Sequence, residues 1–347
     1  MKTRLQGAAV EVDRIRSRLL AWYARTARDL PWRRSKNPYR VWVSEIMLQQ
    51  TQVDRVKEYF ARFLAAFPDV ESLAAAREDS VLRLWEGLGY YRRARQLHAA
   101  ARALVAEHGG RFPRTAEGLR ALPGIGRYTA NAIASIAFDA AEPIVEANSR
   151  RVLARLAGYG RPLDGPAGDE PIWEIARRLV PRTAPGRFNQ ALMDLGAIVC
   201  TPARPRCSAC PLAGCCAALR ARRVDAIPAK AVPRTVKKIR ETAVVLRHGD
   251  RVLVERRGPG AWWEGLWDFP CAVGGARGQP QGKKLGVVRY TVTQHAVART
   301  VRVRRVVRRG AATVARRWVT VAGLADLAMT APGRRIARLL KKPAAIC

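Results

Sequence analysis

A change of hydrophobic period part-way along the chain constrains the fold more than any other feature. From residue 11 to about 222, apolar side chains recur at helical spacing, as in Ile15/Leu19/Leu20, Val53/Val56/Phe60 and Leu82/Trp85/Leu88, with Pro and Gly punctuating the segments. Beyond about 240 the pattern turns strand-like. Thr242 to Leu246 and Val252-Leu253-Val254 flank a turn at His248-Gly249-Asp250, and Val287 to Val307 alternates Val with Arg. Helical and sheet-forming stretches separated in this way bury their apolar faces in different layers, so 347 residues are expected to form two bodies. Between them, Pro228, Lys230, Pro233, Arg234, Lys237 and Lys238 have the composition of a basic linker. The expected organisation is a helical domain over 1–222, a linker over 223–240 and a sheet-containing domain over 241–347. No internal repeat is visible, and residues 274–286 form a Gly/Gln/Lys-rich loop.

The charge balance narrows the partners. The chain carries 63 Lys and Arg against 28 Asp and Glu, a net +35, and residues 289–347 hold fourteen Lys and Arg against one acid, Asp326. Such an excess repels itself in a compact state unless a polyanion offsets it, which makes nucleic acid or an anionic surface the leading partner class. A bias towards Arg codons would raise the same number without any partner. No apolar run reaches the length of a membrane span, and Met1 to Arg18 is charged throughout without a signal-peptide core. A soluble cytoplasmic protein is expected.

Five of the seven cysteines fall between Cys200 and Cys216. The spacing Cys200-x6-Cys207-x2-Cys210-x5-Cys216 gathers four thiols in one Pro-containing loop, which in a reducing compartment points to metal, either a [4Fe–4S] cluster or zinc. Cys215 beside Cys216 leaves the fourth ligand ambiguous, while Cys271 and Cys347 have no partner in sequence.

Residues 115–138 read as two helices, the first N-capped by Thr115, joined by Leu122-Pro123-Gly124-Ile125-Gly126. Glycines such as Gly124 and Gly126 at a helix start let the backbone approach a phosphate, and the free N–H groups attract the anion. A Pro-Gly turn alone has the same form. Two carboxylates stand out. Glu45 lies in an otherwise apolar helix start, Val41 to Leu48, where desolvation would raise its pKa into the range of a general acid. A core Glu held by a salt bridge answers the same pattern. Glu146 precedes Asn148 and a helix beginning near Arg150, where it would be stabilised as an anion or serve as a plain cap. Together an acid and an anion on opposite faces of a sugar could cleave an N-glycosidic bond.

The stretches Leu30-Pro31-Trp32-Arg33, Val41 to Thr51, Trp85-Glu86-Gly87-Leu88-Gly89-Tyr90-Tyr91, Leu122 to Ala130 and Phe188-Asn189-Gln190-Ala191, running into the cysteine cluster, resemble the adenine DNA glycosylases (the MutY family) of the helix–hairpin–helix superfamily. The likeness covers residues 11 to about 222. It implies an all-α helix–hairpin–helix domain with a [4Fe–4S] loop on Cys200, Cys207, Cys210 and Cys216. It also implies excision of adenine mispaired with 8-oxoguanine or guanine in double-stranded DNA, by a DNA-bound monomer that flips the base out. By position, Glu45 would protonate adenine N7, Glu146 would serve as the anion, and Tyr128 and Asn148 would orient the sugar side. Arg33 and Gln190 would line the base pocket, and Gln50 and Tyr90 would wedge the stack. Leu122, Gly124 and Gly126 would grip the backbone. Tyr128 stands where lyase-type relatives carry a Schiff-base Lys, which implies a monofunctional enzyme leaving an abasic site. Glu241 to Gly275, above all Gly265-Leu266-Trp267-Asp268-Phe269-Pro270, resembles the α+β Nudix-like domain that reads 8-oxoguanine. No acidic metal helix follows it, so nucleotide hydrolysis is not expected.

Two departures qualify the resemblance. Glu146-Ala147-Asn148 stands where the family carries Asp-Gly-Asn, which sets the carboxylate one methylene further out and implies retuned activity. Val292-Thr293-Gln294 aligns with Phe-Ser/Thr-His, so Thr293 keeps the hydroxyl for the lesion while the aromatic and the His are missing. Weaker discrimination of 8-oxoguanine, partly replaced by phosphate attraction at Arg302 to Arg309, is expected. Competing readings are a thymine or uracil mismatch glycosylase of the same superfamily, a lesion-binding protein with impaired catalysis, and a zinc-bound nucleic-acid scaffold.

Overall fold

The structure is a computed structural model that describes residues 2–163, 165–229, 235–273 and 282–341. Linker residues 230–234, residues 274–281 of the Gly/Gln/Lys-rich stretch and Cys347 lie outside the described residues. The helices are α1 (Lys2–Thr26), α2 (Pro38–Leu48), α3 (Val53–Ala66), α4 (Val70–Ala75), α5 (Glu78–Trp85), α6 (Arg92–His108), α7 (Ala116–Arg120), α8 (Arg127–Phe138), α9 (Ala147–Ala157), α10 (Gly165–Leu179), α11 (Pro185–Ile198) and α12 (Ala217–Arg220). Strands follow as β1 (Lys237–His248), β2 (Arg251–Arg256), β3 (Trp267–Asp268), β4 (Cys271–Val273), β5 (Lys283–Val292), β6 (His295–Arg305) and β7 (Arg316–Thr320), before a final helix α13 (Ala331–Leu340). The chain divides into two compact units. One comprises Met1–Phe60, Asp69–Glu71 and Ala99–Val232; the other comprises Ala61–Pro68, Ser72–His98 and Pro233–Cys347. Spatial grouping therefore differs from the sequence boundary, because part of the helical stretch packs with the sheet.

In the first unit, local signals explain the helix ends. The Asn37 side chain accepts from the Arg40 N–H at 3.1 Å and Pro38 occupies the first turn, which starts α2. Thr115 caps α7 through the Gly118 N–H, as expected. α9 begins at Ala147 rather than near Arg150, because Glu146 itself is the cap. Leu19 of α1, Leu153 of α9, Ile172 of α10 and Phe188 and Leu195 of α11 form the core. Two largely buried arginines of α9 fasten the cysteine loop by its carbonyls. Arg151 donates to Cys200 O at 2.8 Å and Gly196 O at 2.7 Å, and Arg155 donates to Thr201 O and Ile227 O, both at 2.8 Å. Carbonyl acceptors satisfy most of what these guanidinium groups would otherwise lose on leaving water.

The second unit is built on a seven-stranded sheet ordered β3-β2-β1-β6-β5, with β4 also on β1 and β7 on β2. β1 and β6 run parallel from Lys237↔His295 to Arg247↔Arg305, while β5 and β6 form an antiparallel hairpin. The strand-like stretch from Val287 is thus two strands, reversed at Thr293-Gln294. Val245, Val254, Trp267, Phe269, Val301 and Ile336 fill the core beneath α13. Arg299 points into it, pairing with Glu241 at 2.7 Å and Asp268 at 2.8 Å and donating to the Tyr290 hydroxyl at 3.0 Å. The helical segment 72–98 joins this unit through ion pairs of Arg256 with Glu78 and Asp79, Arg95 with Glu264, and Arg334 with Glu86.

One glycine sets the distance between the helices that carry the pocket. A Cβ at Gly196 of α11 would lie 2.7 Å from both the Cβ and the carbonyl oxygen of Asn148 on α9. Gly196→Ala is expected to destabilise the protein by about 2 kcal/mol through overpacking. The shift of the urea unfolding midpoint, at unchanged slope, measures it.

Candidate active site

The site begins with a carboxyl group that the fold removes from water. In α2, Tyr39 and Val41 to Met47 are buried, and Glu45 among them is only 4% exposed. From the first turn of α8, the Tyr128 hydroxyl donates to Glu45 Oε2. Burial pushes the Glu45 carboxyl up to about 7, against the pull of the Tyr128 hydrogen bond and of Arg33, and with a further push from the nearby charge of Glu146. This is the environment expected from the apolar helix start, and no salt bridge neutralises the group. Tyr128 is itself held as a neutral phenol, first by burial and then by Glu45.

Glu45 and Tyr128 open onto a cavity of about 490 Å³ that also receives Glu146, Asn148, Arg33, Gln50 and Gln190. The structure therefore brings together four residue sets that are far apart in sequence. Glu146 turns back onto its own helix. Its Oε2 accepts from the Asn148 N–H at 2.9 Å and its Oε1 from the Ser149 N–H at 2.8 Å, while Ser149 Oγ accepts from the Glu146 N–H. Glu146 and Ser149 thus form a reciprocal capping box. Burial raises the Glu146 carboxyl, opposed by those two backbone donors and by Arg151 and Arg150. The expected stabilisation of the anion is present but does not outweigh desolvation. Asn148 donates to Glu146 Oε2 at 3.2 Å and accepts from Arg151 at 3.0 Å, so its amide is fixed.

The Arg33 guanidinium is locked by Asp194, with Nη1 to Oδ2 at 2.7 Å and Nη2 to Oδ1 at 3.0 Å, and Arg28 Nε donates to the same carboxylate at 2.7 Å. Asp194 has no exposed side-chain surface; burial alone would raise its carboxyl, but the two guanidinium groups hold it below its ordinary value. Gln190 Oε1 accepts from the Tyr23 hydroxyl at 2.8 Å. Asp194, Ser149 and Tyr23 escaped sequence reasoning. Only Asp194 left a signal, as an acid within the apolar run Ala191 to Leu195.

The hairpin between α7 and α8 presents exposed Gly124, at φ 71°, and exposed Gly126, with no side-chain cap over the first turn of α8. Leu122 in the same hairpin is buried, 3% exposed. Gln50, Tyr90 and Thr293 all adopt left-handed backbone conformations, at φ 56°, 48° and 50°. Non-glycine residues rarely take this conformation, and they cluster where function over-determines the backbone. In the sheet-containing unit, the Thr293 hydroxyl lies 3.2 Å from His295 Nδ1, and the His295 ring packs on Trp262 at 5.0 Å. A His therefore does stand beside Thr293, one residue later than the alignment placed it, and an aromatic from elsewhere in the chain, Trp262, packs on that His.

Cys200, Cys207, Cys210 and Cys216 line one small cavity with Arg155, whose Nη1 lies 3.4 Å from Cys200 Sγ. Cys215 is instead buried in the helical core. Burial, reinforced by the neighbouring cysteines, pushes the Cys210 thiol up to about 11. A cation is what would stabilise four thiolates in this cradle. Among the described residues, no three His, Cys, Asp or Glu side chains stand at the spacing of a single ion.

Comparison with known proteins places this geometry. Residues 43–182 match the model of the HhH-GPD superfamily of base excision DNA repair proteins, and residues 241–339 match a NUDIX domain model. The adenine DNA glycosylase of Buchnera aphidicola subsp. Schizaphis graminum is 36% identical over 253 residues, 73% of either chain. The chain belongs to the adenine DNA glycosylase family. The mouse and human adenine DNA glycosylases are 48% identical over 217 residues, 60% of this chain, which spans 42% and 40% of their lengths. Among solved structures, a thermostable thymine-DNA glycosylase superposes with TM-score 0.57 at 30% identity, over 62% of this chain and 99% of that one. Endonuclease III bound to DNA, at TM-score 0.52 and 21% identity, shares the fold. No described helix is long and apolar enough to cross a membrane.

The raised Glu45 carboxyl has a consequence for stability. Its folded value exceeds the unfolded one, so the native state binds more protons, and stability falls as pH rises from about 4.5 through about 7. The loss is roughly 3 kcal/mol. Glu45→Gln, which keeps an acceptor for Tyr128, is expected to abolish that part of the pH dependence and to be the more stable protein above neutrality. Urea unfolding at about pH 5 and about pH 8 measures both.

Proposed function

We propose that this chain hydrolyses the N-glycosidic bond of adenine mispaired with 8-oxoguanine or guanine in double-stranded DNA and leaves an abasic site. The observation that carries the reading is the buried Glu45 carboxyl, raised to about 7, sharing a cavity with Tyr128 and the anchored Glu146. Near neutral pH a substantial fraction of Glu45 holds the proton that adenine N7 must receive to leave as a neutral base. Glu146, fixed by the N-terminus of α9, supplies negative charge for the oxocarbenium-like sugar, and Asn148, itself held by Arg151, keeps that charge oriented. Arg33, locked by Asp194, and Gln190, held by Tyr23, line the space for the flipped base. Tyr128 is no Schiff-base nucleophile, so strand cleavage by β-elimination is not part of the reaction. Water adds at the sugar carbon as the base departs, giving free adenine and an abasic site.

Gly124 and Gly126 offer backbone to phosphate, and Gln50 and Tyr90 enter the base stack. Thr293, with His295 on Trp262, reads the base opposite. This pair restores polar and aromatic groups where the alignment had lost them, which supports stronger preference for 8-oxoguanine than Val292-Thr293-Gln294 alone would give. Cys200, Cys207, Cys210 and Cys216 would hold a [4Fe–4S] cluster, which secures the loop after α11. The family resemblance of the Cys200-x6-Cys207-x2-Cys210-x5-Cys216 spacing favours that cluster over zinc.

Duplexes with adenine opposite 8-oxoguanine or guanine, alongside thymine and uracil opposite guanine, test the function. Adenine excision with strand breakage only after alkali is the expected result, and its rate should fall as pH rises through about 7 and Glu45 ionises. Glu45→Gln should lower the rate at least about a hundredfold. Excision of thymine in place of adenine, or breakage without alkali, overturns the reading. After anaerobic reconstitution, metal analysis should find iron with matching inorganic sulfide and brown visible absorption; bound zinc without colour would replace the cluster.

A further inference from the structure

The loop that presents Tyr90 is fastened at its start to the C-terminal helix. α5 ends at Trp85, and Glu86 to Tyr91 form a tight loop with Gly87 at φ 105°, Gly89 at φ 76° and Tyr90 at φ 48°. Tyr90 is 54% exposed, above a fully buried Trp85. Inside the loop, Trp85 Nε1 donates to Gly89 O at 3.1 Å, and Arg93 Nη2 donates to Gly89 O at 3.2 Å while lying 5.6 Å from the Tyr90 ring centre. These contacts hold the far end of the loop.

The near end is held from a distance of 248 residues. Arg334 of α13 grips both Glu86 oxygens, Nε to Oε1 and Nη2 to Oε2 at 2.8 Å, and the Met329 N–H donates to Oε2 at 3.3 Å. Arg334 is not a free surface cation. It also donates to the carbonyls of Leu324 and Leu327, and both members of the pair are about one-fifth exposed. A planar fork on a carboxylate, each side fixed by further hydrogen bonds, imposes geometry in a way an exposed ion pair does not. The left-handed Tyr90 conformation is unfavourable for a non-glycine residue and persists only when its surroundings over-determine it.

The geometry points to Glu86 and Arg334 as positioning residues that hold the Tyr90 loop in its stack-entering conformation, linking the C-terminal helix to base extrusion. The inference rests on the reading of Tyr90 as a wedge in the DNA stack. In that arrangement the NUDIX-like body contributes to catalysis twice, by reading the base opposite and by bracing the wedge.

The test uses the full chain and a duplex with 2-aminopurine beside a hydrolysis-resistant 2′-fluoro-deoxyadenosine opposite 8-oxoguanine, whose fluorescence rises when the neighbouring base leaves the stack. Glu86→Gln and Arg334→Gln are each expected to reduce the unstacked-to-stacked ratio about tenfold, as loss of a charged hydrogen-bonded pair implies. The double variant should fall no further than either single one. Binding to undamaged duplex should stay unchanged, and Arg334→Lys should restore little because it lacks the fork. Glu86→Gln retains an acceptor for the Met329 N–H, so it decides the matter if Arg334→Gln unfolds. A normally melting Glu86→Gln protein with full unstacking overturns the inference, as does an equal loss of binding to undamaged duplex. Tyr90→Ala is the separate control: full unstacking there removes the wedge reading itself, whereas reduced unstacking in Tyr90→Ala but not in Glu86→Gln removes only the bracing role.

Discussion

Keeping one carboxyl group out of water, in the seam between α2 and α8, is the constraint on which the rest of the site depends. Glu45 cannot be raised towards neutrality unless the helix carrying it is buried on nearly every side, and α2 is. That burial also lowers stability, and the fold offsets it with one phenolic donor, Tyr128, rather than with a cation. An ion pair would have stabilised the carboxylate and removed the proton that the chemistry needs. The cation that might have served, Arg33, is held instead by Asp194, which also binds Arg28. Asp194 thus keeps a positive charge at the pocket wall while preventing it from neutralising the acid.

α9 joins the pocket to the cysteine loop. Its first residues hold Glu146 and Asn148, its middle turns send Arg151 and Arg155 to the carbonyls of the loop, and its close approach to α11 depends on Gly196. A rigid helix with a satisfied N-terminus can carry an anion at one end and a metal cradle along its length. This gives the loop a physical reason to influence a reaction it does not touch. Glu146 caps the N-terminus of α9 with its own carboxylate.

The sheet-containing unit follows a different logic. Arg299, Glu241 and Asp268 form a buried polar network that is satisfied by mutual pairing, with Tyr290 closing it. Around it, residues 72–98 are tied by ion pairs of Arg95 with Glu264, Arg256 with Glu78 and Arg334 with Glu86. Polar contacts of this kind impose orientation more than they add stability. Tyr90 and Thr293, both in left-handed backbone conformations, lie in this unit.

The sequence by itself determined the helical and sheet-forming halves, because hydrophobic period is a local property that survives any arrangement of the elements. Glu45, Tyr128, Glu146 and Asn148, singled out in sequence as candidates, line one cavity, and Cys200, Cys207, Cys210 and Cys216 line another. What the sequence could not express was distance. Asp194 reaches Arg33 across 161 residues, and Arg334 reaches Glu86 across 248. Nor did the turn motif show that Leu122 is buried while Gly124 and Gly126 are exposed. His295 sits one position beyond its alignment because the strand reverses at Thr293-Gln294, and a reversal brings together residues that linear register keeps apart. The helices, strands and cysteine spacing were local; the locked Arg33 guanidinium, the Glu86–Arg334 pair and the raised Glu45 carboxyl are products of burial and packing, which only the tertiary structure decided.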